Sequence, residues 1–264
     1  MPTDHFSTLV AAHQAMQLGC YFSAVDPYPL GNSQYLWSDI VPDPVWNFAV
    51  CHDLSTPVVD WILSSASSHG RTPAIFWPRA GLSGAPSLKG VAISEVPERW
   101  MTADLNQIDL PVRPAPVSRY EMLSSASPGA SFERVFGQLF TSDSVNEHFR
   151  AVYVPALRKA VLSSDTEVVH LVAYHEDEPI GCASAYIWNG LAGLYNVGTI
   201  APYQGKRIGS WASLQVLCHA RSAGATEGFL QCEVATHVER MYTSIGFAAV
   251  ATPVIGVLNN GERD

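Results

Sequence analysis

Hydrophobic and polar positions along the first hundred residues follow two different periods. Asp4–Met16 and Thr56–His69 carry apolar residues at helical spacing, which predicts two amphipathic helices. Trp46–Cys51 and Thr72–Trp77 are short apolar runs of strand length. Elements that alternate in this way predict a mixed α/β fold for the N-terminal part of the chain.

A proline-rich stretch near the middle of the chain predicts a domain boundary. Leu110–Ser118 contains Pro111, Pro114 and Pro116 and favours a linker or an entry strand. Before it, residues 80–90 are predicted as loop, and residues 95–104 begin with a strand or turn. We therefore expect an N-terminal α/β domain over residues 1–109 and a second domain over residues 110–264.

Two helical patterns and a hairpin open the second half. Ser131–Leu139 is predicted as a helix capped by its first residue, and Ser144–Leu162 as a longer helix that Pro155 kinks or breaks. Val168–Tyr174 and Ile180–Trp188 alternate in the manner of antiparallel strands, joined by an acidic, solvated turn.

A strand, a short glycine-bearing loop and a helix follow the hairpin. Leu191–Ile200 is an apolar run of strand length, and Ile208–Ala223 has helical spacing. The first N–H groups of a helix lack partners within the helix, and the helix dipole favours negative charge there. The loop adds two glycines, which permit close backbone approach, and two basic residues, Lys206 and Arg207. This arrangement predicts a site for phosphate or pyrophosphate.

The last elements include a capped helix. Phe229–Val234 is predicted as a strand. Thr236 and Glu239 form a capping box, in which Glu239 is expected to reach back to the N–H of Thr236. The box places Tyr242 on the second turn of a short helix, and Phe247–Leu258 is predicted as one strand-like segment.

Composition narrows the classes of protein and partner. The formal net charge of −9 argues against nucleic acid as the main partner. The five cysteines and nine histidines form no Cys-x-x-Cys and no metal-binding cluster, so we expect buried cysteines and no metal. No apolar run reaches the roughly 18 residues of a membrane helix, and the start of the chain does not resemble a signal peptide. The expected compartment is the cytoplasm.

Two segments together resemble the GNAT N-acetyltransferases. Gln204–Ser210 is similar to that superfamily's Gln/Arg-x-x-Gly-x-Gly/Ala signature, which cradles the pyrophosphate of acetyl-CoA. His237–Phe247 is similar to the family's closing element, a helix with a tyrosine four residues before a Gly-Phe pair. The resemblance covers roughly Val168–Val250. It implies a GNAT-like acyl-CoA N-acyltransferase fold, an α+β arrangement around a mixed sheet, for the C-terminal half.

The resemblance also implies roles for particular residues toward acetyl-CoA, the expected co-substrate. In the family, the strand before the loop splays from its neighbour and offers unpaired N–H groups to the pantetheine and the thioester. The matching cofactor-binding positions here are Gly198, Thr199, Ile200, Gln204, Gly205, Lys206, Arg207, Ile208, Gly209 and Ser210. Two positions depart from the family pattern: Arg207 replaces the signature's middle glycine, and Ala235 stands where many members carry an asparagine.

The catalytic assignments follow from the same resemblance. Tyr242 matches the tyrosine that protonates the leaving thiolate; the alternative is a packed core aromatic. Glu233 is the candidate general base because it is the carboxylate within the splayed strands; alternatives are a solvent-facing charge, a pair with Arg240, or a water chain held by Asn196.

The expected function is transfer of an acetyl or short acyl group from acetyl-CoA to an amine. Direct attack in a ternary complex is expected because no Cys or Ser stands in a nucleophile motif. The acceptor is a small molecule or a peptide, and the oligomeric state is left open. Two alternatives remain: a catalytically degenerate CoA-binding or regulatory module, and an acyltransferase for longer chains with a pocket near Tyr186, Trp188 and Tyr195. Families of this type include two-copy chains, so the N-terminal half is expected to be a related, degenerate copy or a packing domain.

Overall fold

The computed structural model describes residues 5–51, 53–78, 82, 88 and 91–259. Most of the predicted loop at residues 80–90 lies outside the described residues. The helices confirm the periodic patterns, with ends shifted by a few residues. They are α1 (His5–Gln17), α2 (Thr56–Ser68), α3 (Ala130–Phe136), α4 (Asp143–His148), α5 (Val154–Arg158), α6 (Ile208–Ser222) and α7 (His237–Ser244).

The strands form one mixed sheet that runs through both halves of the chain. In chain order they are β1 (Ala24–Pro27), β2 (Gln34–Trp37), β3 (Phe48–Val50), β4 (Ala74–Trp77), β5 (Ala92–Asp104), β6 (Arg119–Leu123), β7 (Glu167–His175), β8 (Glu178–Trp188), β9 (Leu191–Thr199), β10 (Glu227–Glu233), β11 (Ala248–Ala251) and β12 (Val254–Asn259). Their spatial order is β1-β2-β3-β4-β12-β5-β10-β9-β8-β7-β6, and β11 pairs with β5.

The two halves repeat one sequence of elements. In the second half, β7, β8 and β9 pair antiparallel, and α6 crosses over to β10, which is parallel to β9. In the first half, β1, β2 and β3 pair antiparallel, and α2 crosses over to β4, which is parallel to β3. This repetition is what a related N-terminal copy of the fold produces.

Each half lends its last strand to the other. β5 pairs antiparallel with β10 of the second half, while β12, from the end of the chain, pairs antiparallel with β4 of the first half. The two lent strands also pair with each other, through Val254↔Pro97 to Asn259↔Ala92. The sheet is therefore continuous, and the boundary expected after residue 109 stays a prediction.

Helices pack on both faces of the sheet, and a cavity lies on the face that α1 and α3 cover. On one face, Ile208 of α6 packs at Gly181, and Leu217 of the same helix packs at Gly228. On the opposite face, Met16 of α1 packs at Gly193, and α3 places Phe132 against His170, with ring centroids 5.2 Å apart. The second face is the one that carries the candidate site.

Some elements differ from the sequence predictions. The sequence pattern does not predict β6, because Arg119–Leu123 is a largely exposed edge strand with charged positions. Gly129, with a φ of 82°, occupies the N-cap of α3, so Ser131 is not the cap. The predicted final strand is two strands, because Pro253 has no N–H to continue a ladder and separates β11 from β12.

The helix predicted over Ser144–Leu162 is interrupted as expected, by a π-helical turn. Residues Phe149–Tyr153 form that turn between α4 and α5, and Pro155 lies in the first turn of α5. Proline has no N–H to donate to residue 151, so the α-helical ladder cannot run unbroken across this point. The turn places Phe149 and Tyr153 on the cavity wall described below.

Candidate functional site

The site begins where β9 and β10 separate. The parallel pairing of these strands covers only Leu191–Gly193 and Glu227–Phe229. Both strands continue beyond this point, to Thr199 and Glu233, without pairing to each other. The result is a wedge-shaped opening whose walls are backbone groups that have lost their ladder partners.

A β-bulge lies in the β9 wall of this opening. Cys182 of β8 pairs with Gly198 and Ser184 with Tyr195, so Asn196 and Val197 oppose one residue of β8. Asn196 has a φ of 54°, and its Oδ1 accepts a hydrogen bond of 2.8 Å from the Tyr21 hydroxyl. Among the described residues, none pairs with the buried Nδ2 of Asn196. A donor without a partner therefore sits beside the opening.

The helix α6 starts at the end of β9 and presents an anion-binding geometry. Its first turn contains no acidic residue, so the N–H groups of Ile208, Gly209 and Ser210 are not neutralised by the chain itself. The helix dipole adds partial positive charge at the same place. Lys206 and Arg207 flank it, and the Nζ of Lys206 lies 4.9 Å from the Tyr203 ring centroid.

Other predicted cofactor residues have contacts within the protein. Gln204 donates from Nε2 to the backbone oxygens of Thr199 (3.1 Å) and Leu139 (3.2 Å), and so ties the loop to both the strand and the α3–α4 connection. The space above Gly198 is filled by the side chain of Leu139, which occupies the place where a Cβ would stand. The group that comes close to Gly198 on this side is therefore the Leu139 side chain.

Gly205 and Gly209 face open or loosely filled space. Nothing lies within 4 Å of a Cβ placed on Gly205, which has a φ of 73°. A Cβ on Gly209 would have only ordinary contacts, 3.7 Å to Thr199 Oγ1 and 3.8 Å to Met241 Sδ. A side chain at Gly209 would thus point between the end of β9 and α7.

Arg207 occupies a backbone conformation that suits glycine. Its φ of 64° is left-handed, which costs a residue with a Cβ about 1–2 kcal/mol. We expect the free energy of unfolding, measured with urea, to be about 1 kcal/mol higher for Arg207→Gly than for Arg207→Ala. Both variants lose the charge, and only the alanine variant keeps the backbone strain. Equal stability of the two variants would contradict this account of the loop.

The helix α7 brings Tyr242 to the opening. Thr236 accepts from the N–H of Glu239 as predicted, but Glu239 Oε2 accepts from the N–H of Ala235, not from that of Thr236. Its other oxygen, Oε1, pairs with Arg99 Nε at 2.7 Å and so holds α7 to β5. Tyr242 is 7% exposed and lines the cavity. Its burial raises the pKa of the phenol above the ordinary value, so the group stays protonated near neutral pH.

The opening widens into a cavity of about 400 Å³ between the two halves. Its walls are mainly aromatic. The first half contributes Tyr21, Trp46, Phe48, Phe76 and Trp100. The second half contributes Phe136, Phe140, Phe149 and Tyr153. Tyr195 also lines the cavity, whereas Tyr186, expected near it, is fully buried behind Tyr195.

A carboxylate that sequence reasoning missed lines this cavity. Glu98 lies on β5, directly opposite Glu233 of β10, and its Oε2 accepts a hydrogen bond of 3.2 Å from Trp100 Nε1. Burial raises the pKa of the Glu98 carboxyl to about 7. The sequence does not indicate Glu98 as a base, because the strand exchange that brings β5 beside β10 is non-local. The sequence signal was its position two residues before Trp100, on the same face of a strand.

The predicted base Glu233 also lines the cavity, at its exposed end. It has no ion pair with Arg240 within the described part of the chain. His13 of α1 is a further lining residue. Its Nδ1 lies 2.8 Å from the Tyr195 hydroxyl, and burial lowers its pKa to about 3, so the ring is neutral near pH 7. The described residues contain no group of His, Cys, Asp and Glu fit to hold a metal.

The splayed strands, the loop and α6 lie within the part of the chain that matches a known protein family. Residues 135–247 match the model of the Acetyltransferase (GNAT) family. Residues 135–247 therefore form a GNAT domain, as the loop and the Tyr242 element predicted. No curated protein sequence matches the chain.

Solved structures extend the similarity to the whole chain. A GCN5-related N-acetyltransferase from Kribbella flavida is 18% identical, with a TM-score of 0.62 over 97% of this chain and 96% of that one. A tandem GNAT protein from the clavulanic acid biosynthesis pathway is 16% identical, with a TM-score of 0.55 over 89% of this chain and 80% of that one. A GCN5-related N-acetyltransferase from Sphaerobacter thermophilus is 15% identical, with a TM-score of 0.54 over 87% and 78%. The fold is thus a GNAT fold, and the similarity is consistent with a second, N-terminal domain.

Within the described residues, none of the helices combines the length and the apolar character that crossing a bilayer requires.

Proposed function

We propose that this chain transfers an acetyl or other short acyl group from acyl-CoA to an amine by direct attack in a ternary complex. The observation that carries the proposal is the separation of β9 from β10 beyond Gly193 and Phe229, directly beside the uncapped start of α6. The separation supplies backbone N–H groups for a thioester, and the helix start supplies charge complementarity for a pyrophosphate.

The residues present fit CoA as a co-substrate. The open space at Gly205 and the absence of acid in the first turn of α6 leave room for a diphosphate at this helix start. We assign the diphosphate to Gln204–Ser210, in which Gln204 holds the loop in place, and the pantetheine arm to the backbone of Gly198–Ile200. CoA supplies the activated acyl group as a thioester.

Two side chains are assigned to proton transfer. Tyr242 is the general acid for the departing thiolate, because its hydroxyl is protonated near neutral pH and lines the cavity. Glu233 is the carboxylate that the sequence assigned as base, and its place at the exposed end of the cavity suits passage of a proton to water. The cytoplasmic location expected from composition stays a prediction.

A degenerate CoA-binding module is the second candidate. Ala235 takes the place of an asparagine that many family members carry, and its φ of 61° is a conformation in which asparagine is less strained than alanine. Arg207 is strained in the same way. These departures leave the fold intact but remove one side chain from the expected cofactor contacts.

The proposal is tested by thermal unfolding with acetyl-CoA, propionyl-CoA and free CoA. A ligand at about 100 times its Kd adds about 2.7 kcal/mol to stability, so we expect a clear rise in Tm with each of them. Release of free thiol in the presence of an amine panel then separates an enzyme from a module. Binding without thiol release over the whole panel would favour the module, and no rise in Tm would contradict both candidates.

Calorimetry should find one CoA per chain. In the N-terminal half, the helix start equivalent to that of α6 is the start of α2, which has Pro57 in its first turn and so lacks one N–H. Asp53 accepts from the N–H of Ser55 and places a negative charge there. An anion is disfavoured at this second helix start, and a stoichiometry of two would contradict the assignment.

A further inference from the structure

Resting on the proposed acyl transfer, we propose the class of acceptor: an amine with a single positive charge and an apolar, ring-sized body, whose ammonium group is received by Glu98. The cavity between the two halves is the acceptor site. Its charge, its walls and the fixed position of one carboxylate each point to this class.

The charge of the cavity favours a cation. Glu98 and Glu233 line it, and no Lys or Arg is among its described lining residues. The buried His13 is neutral near pH 7 and adds no positive charge. An ammonium group is therefore attracted to the cavity, and an acceptor with its own carboxylate is repelled.

The walls favour an apolar body on that cation. Aromatic rings from both halves face the cavity, among them Trp46, Trp100 and Phe149. Ring faces attract an ammonium group and bury apolar surface at the same time. A cavity of about 400 Å³ lies within the roughly 300–1,000 Å³ of small-molecule sites. A long polyamine carries more positive charges than the two lining carboxylates can pair, and each further charge would leave water without an ion-pair partner, which is unfavourable.

Glu98 is the carboxylate held in a fixed position. The indole N–H of Trp100 donates to one of its oxygens and leaves the other for a ligand. Trp100 is itself 1% exposed and stacks on Phe229, with ring centroids 6.1 Å apart. Glu233, directly across from Glu98, is exposed and has no comparable support. Of the two carboxylates, Glu98 is therefore the one placed to receive an ammonium group at a fixed position.

The chemical step balances with these groups. The ammonium gives one proton to the Glu98 carboxylate and becomes a neutral amine. Its nitrogen attacks the thioester carbon, a C–N bond forms and the C–S bond breaks. The second nitrogen proton reaches the sulfur through the Tyr242 hydroxyl, which gives its own proton and regains one. Glu98 then returns its proton to solvent, and the products are an amide and free CoA thiol.

Binding can be tested without turnover, because Trp46 and Trp100 stand in the cavity wall. We expect 2-phenylethylamine to quench tryptophan fluorescence saturably, and L-phenylalanine and spermidine to do so at least about tenfold more weakly. Equal or tighter binding of spermidine or of L-phenylalanine would overturn the proposed class. This readout needs no CoA, so it stands even where the acyl-transfer proposal fails.

Turnover tests the role of Glu98. We expect Glu98→Gln to lower kcat/KM for 2-phenylethylamine by about 10²–10⁴-fold, the range of a lost general base, with an unchanged Tm shift from acetyl-CoA. Asp60→Asn, on the exposed side of α2, removes one charge far from the cavity and should match the wild type. Full activity of Glu98→Gln would overturn the assignment. If acetyl-CoA does not raise the Tm of the wild type, that result would instead contradict the proposed acyl transfer.

The pH profile separates a base from a structural residue. The free carboxylate is needed, so kcat/KM should rise with pH through about 7 in the wild type, and this limb should be absent in Glu98→Gln. The other titratable groups on the cavity wall are His13, Tyr21, Tyr153, Tyr195, Cys232, Glu233 and Tyr242. Burial moves the pKa of His13 to about 3 and raises that of Cys232 to about 11, so neither mimics the limb. A limb retained in Glu98→Gln but lost in Glu233→Gln would assign the base to Glu233.

Discussion

Gly209→Glu should abolish binding of CoA while the chain stays folded. Gly209 lies in the first turn of α6, and a Cβ there has only ordinary contacts. A carboxylate in the first turn of a helix is stabilising by about 0.3–1 kcal/mol, because it pairs with the free N–H groups and the dipole. The same carboxylate therefore occupies the donors that the proposed diphosphate needs.

The expected loss of affinity is large because repulsion adds to this competition. Two unit charges about 4 Å apart near a protein surface interact by about 4 kcal/mol, which is roughly a thousandfold in Kd. Calorimetry with acetyl-CoA measures the effect directly. We expect a Tm in the absence of ligand at or above that of the wild type, and no rise in Tm on adding acetyl-CoA.

Two variants control for size and for charge. Gly209→Ala adds one methyl group and no charge, so it should weaken binding far less than the glutamate does. Gln215→Glu adds the same charge on α6 about two turns further along the helix and should keep most of the affinity. If Gly209→Glu binds acetyl-CoA as tightly as Gln215→Glu does, the diphosphate does not lie at this helix start.

Local signals in the sequence predicted the part of the site that is local. Residues 191–222 form a strand, a loop and a helix because their apolar spacing changes within about ten residues, and the capping box around Thr236 fixes the start of α7. Gln204 and Gly209 could be assigned from this stretch alone. Their contacts could not be, since the acceptor of Gln204 at Leu139 lies 65 positions away.

The cavity could not be predicted, because it is formed by the exchange of strands between the halves. Glu98 faces Glu233 only because β5 adds to the second half of the sheet, and Phe76 reaches the same cavity because β12 joins β4 to β5. Such pairings join residues more than a hundred positions apart, and no periodicity in the chain encodes which strand takes which neighbour. The repeated order of elements in the two halves was likewise invisible in residue identities and became apparent only from the topology.

The exchange also explains how the first half contributes to the candidate site in the second half. Arg99 of β5 pairs with Glu239 of α7, and the same α7 carries Tyr242. The Tyr21 hydroxyl donates to Asn196 in the bulge of β9. The first half therefore positions both the candidate acid and the strand that would receive the thioester, although its own helix start at α2 does not suit CoA.

Tyr242→Phe should lower kcat by about 10²–10⁴-fold, the range of a lost general acid, and leave the Kd of acetyl-CoA near that of the wild type. The phenol is buried, lines the cavity and has a raised pKa, so it carries its proton throughout the neutral range. It has no hydrogen-bond partner among the described residues, so removing the oxygen breaks no contact of the fold. The edge-to-face packing on Phe247, with ring centroids 5.8 Å apart, is retained by phenylalanine.

These features make the loss a test of chemistry rather than of stability. Free thiol release at saturating acyl-CoA and amine measures kcat, and urea unfolding should show the variant to be as stable as the wild type. Tyr174→Phe is the matched control, because that tyrosine is also buried but bonds to Glu121 on the edge of the sheet, away from the cavity. An unchanged kcat in Tyr242→Phe would make Tyr242 a packing residue and would leave the thiolate to take its proton from water, since no other hydroxyl on α7 lines the cavity among the described residues.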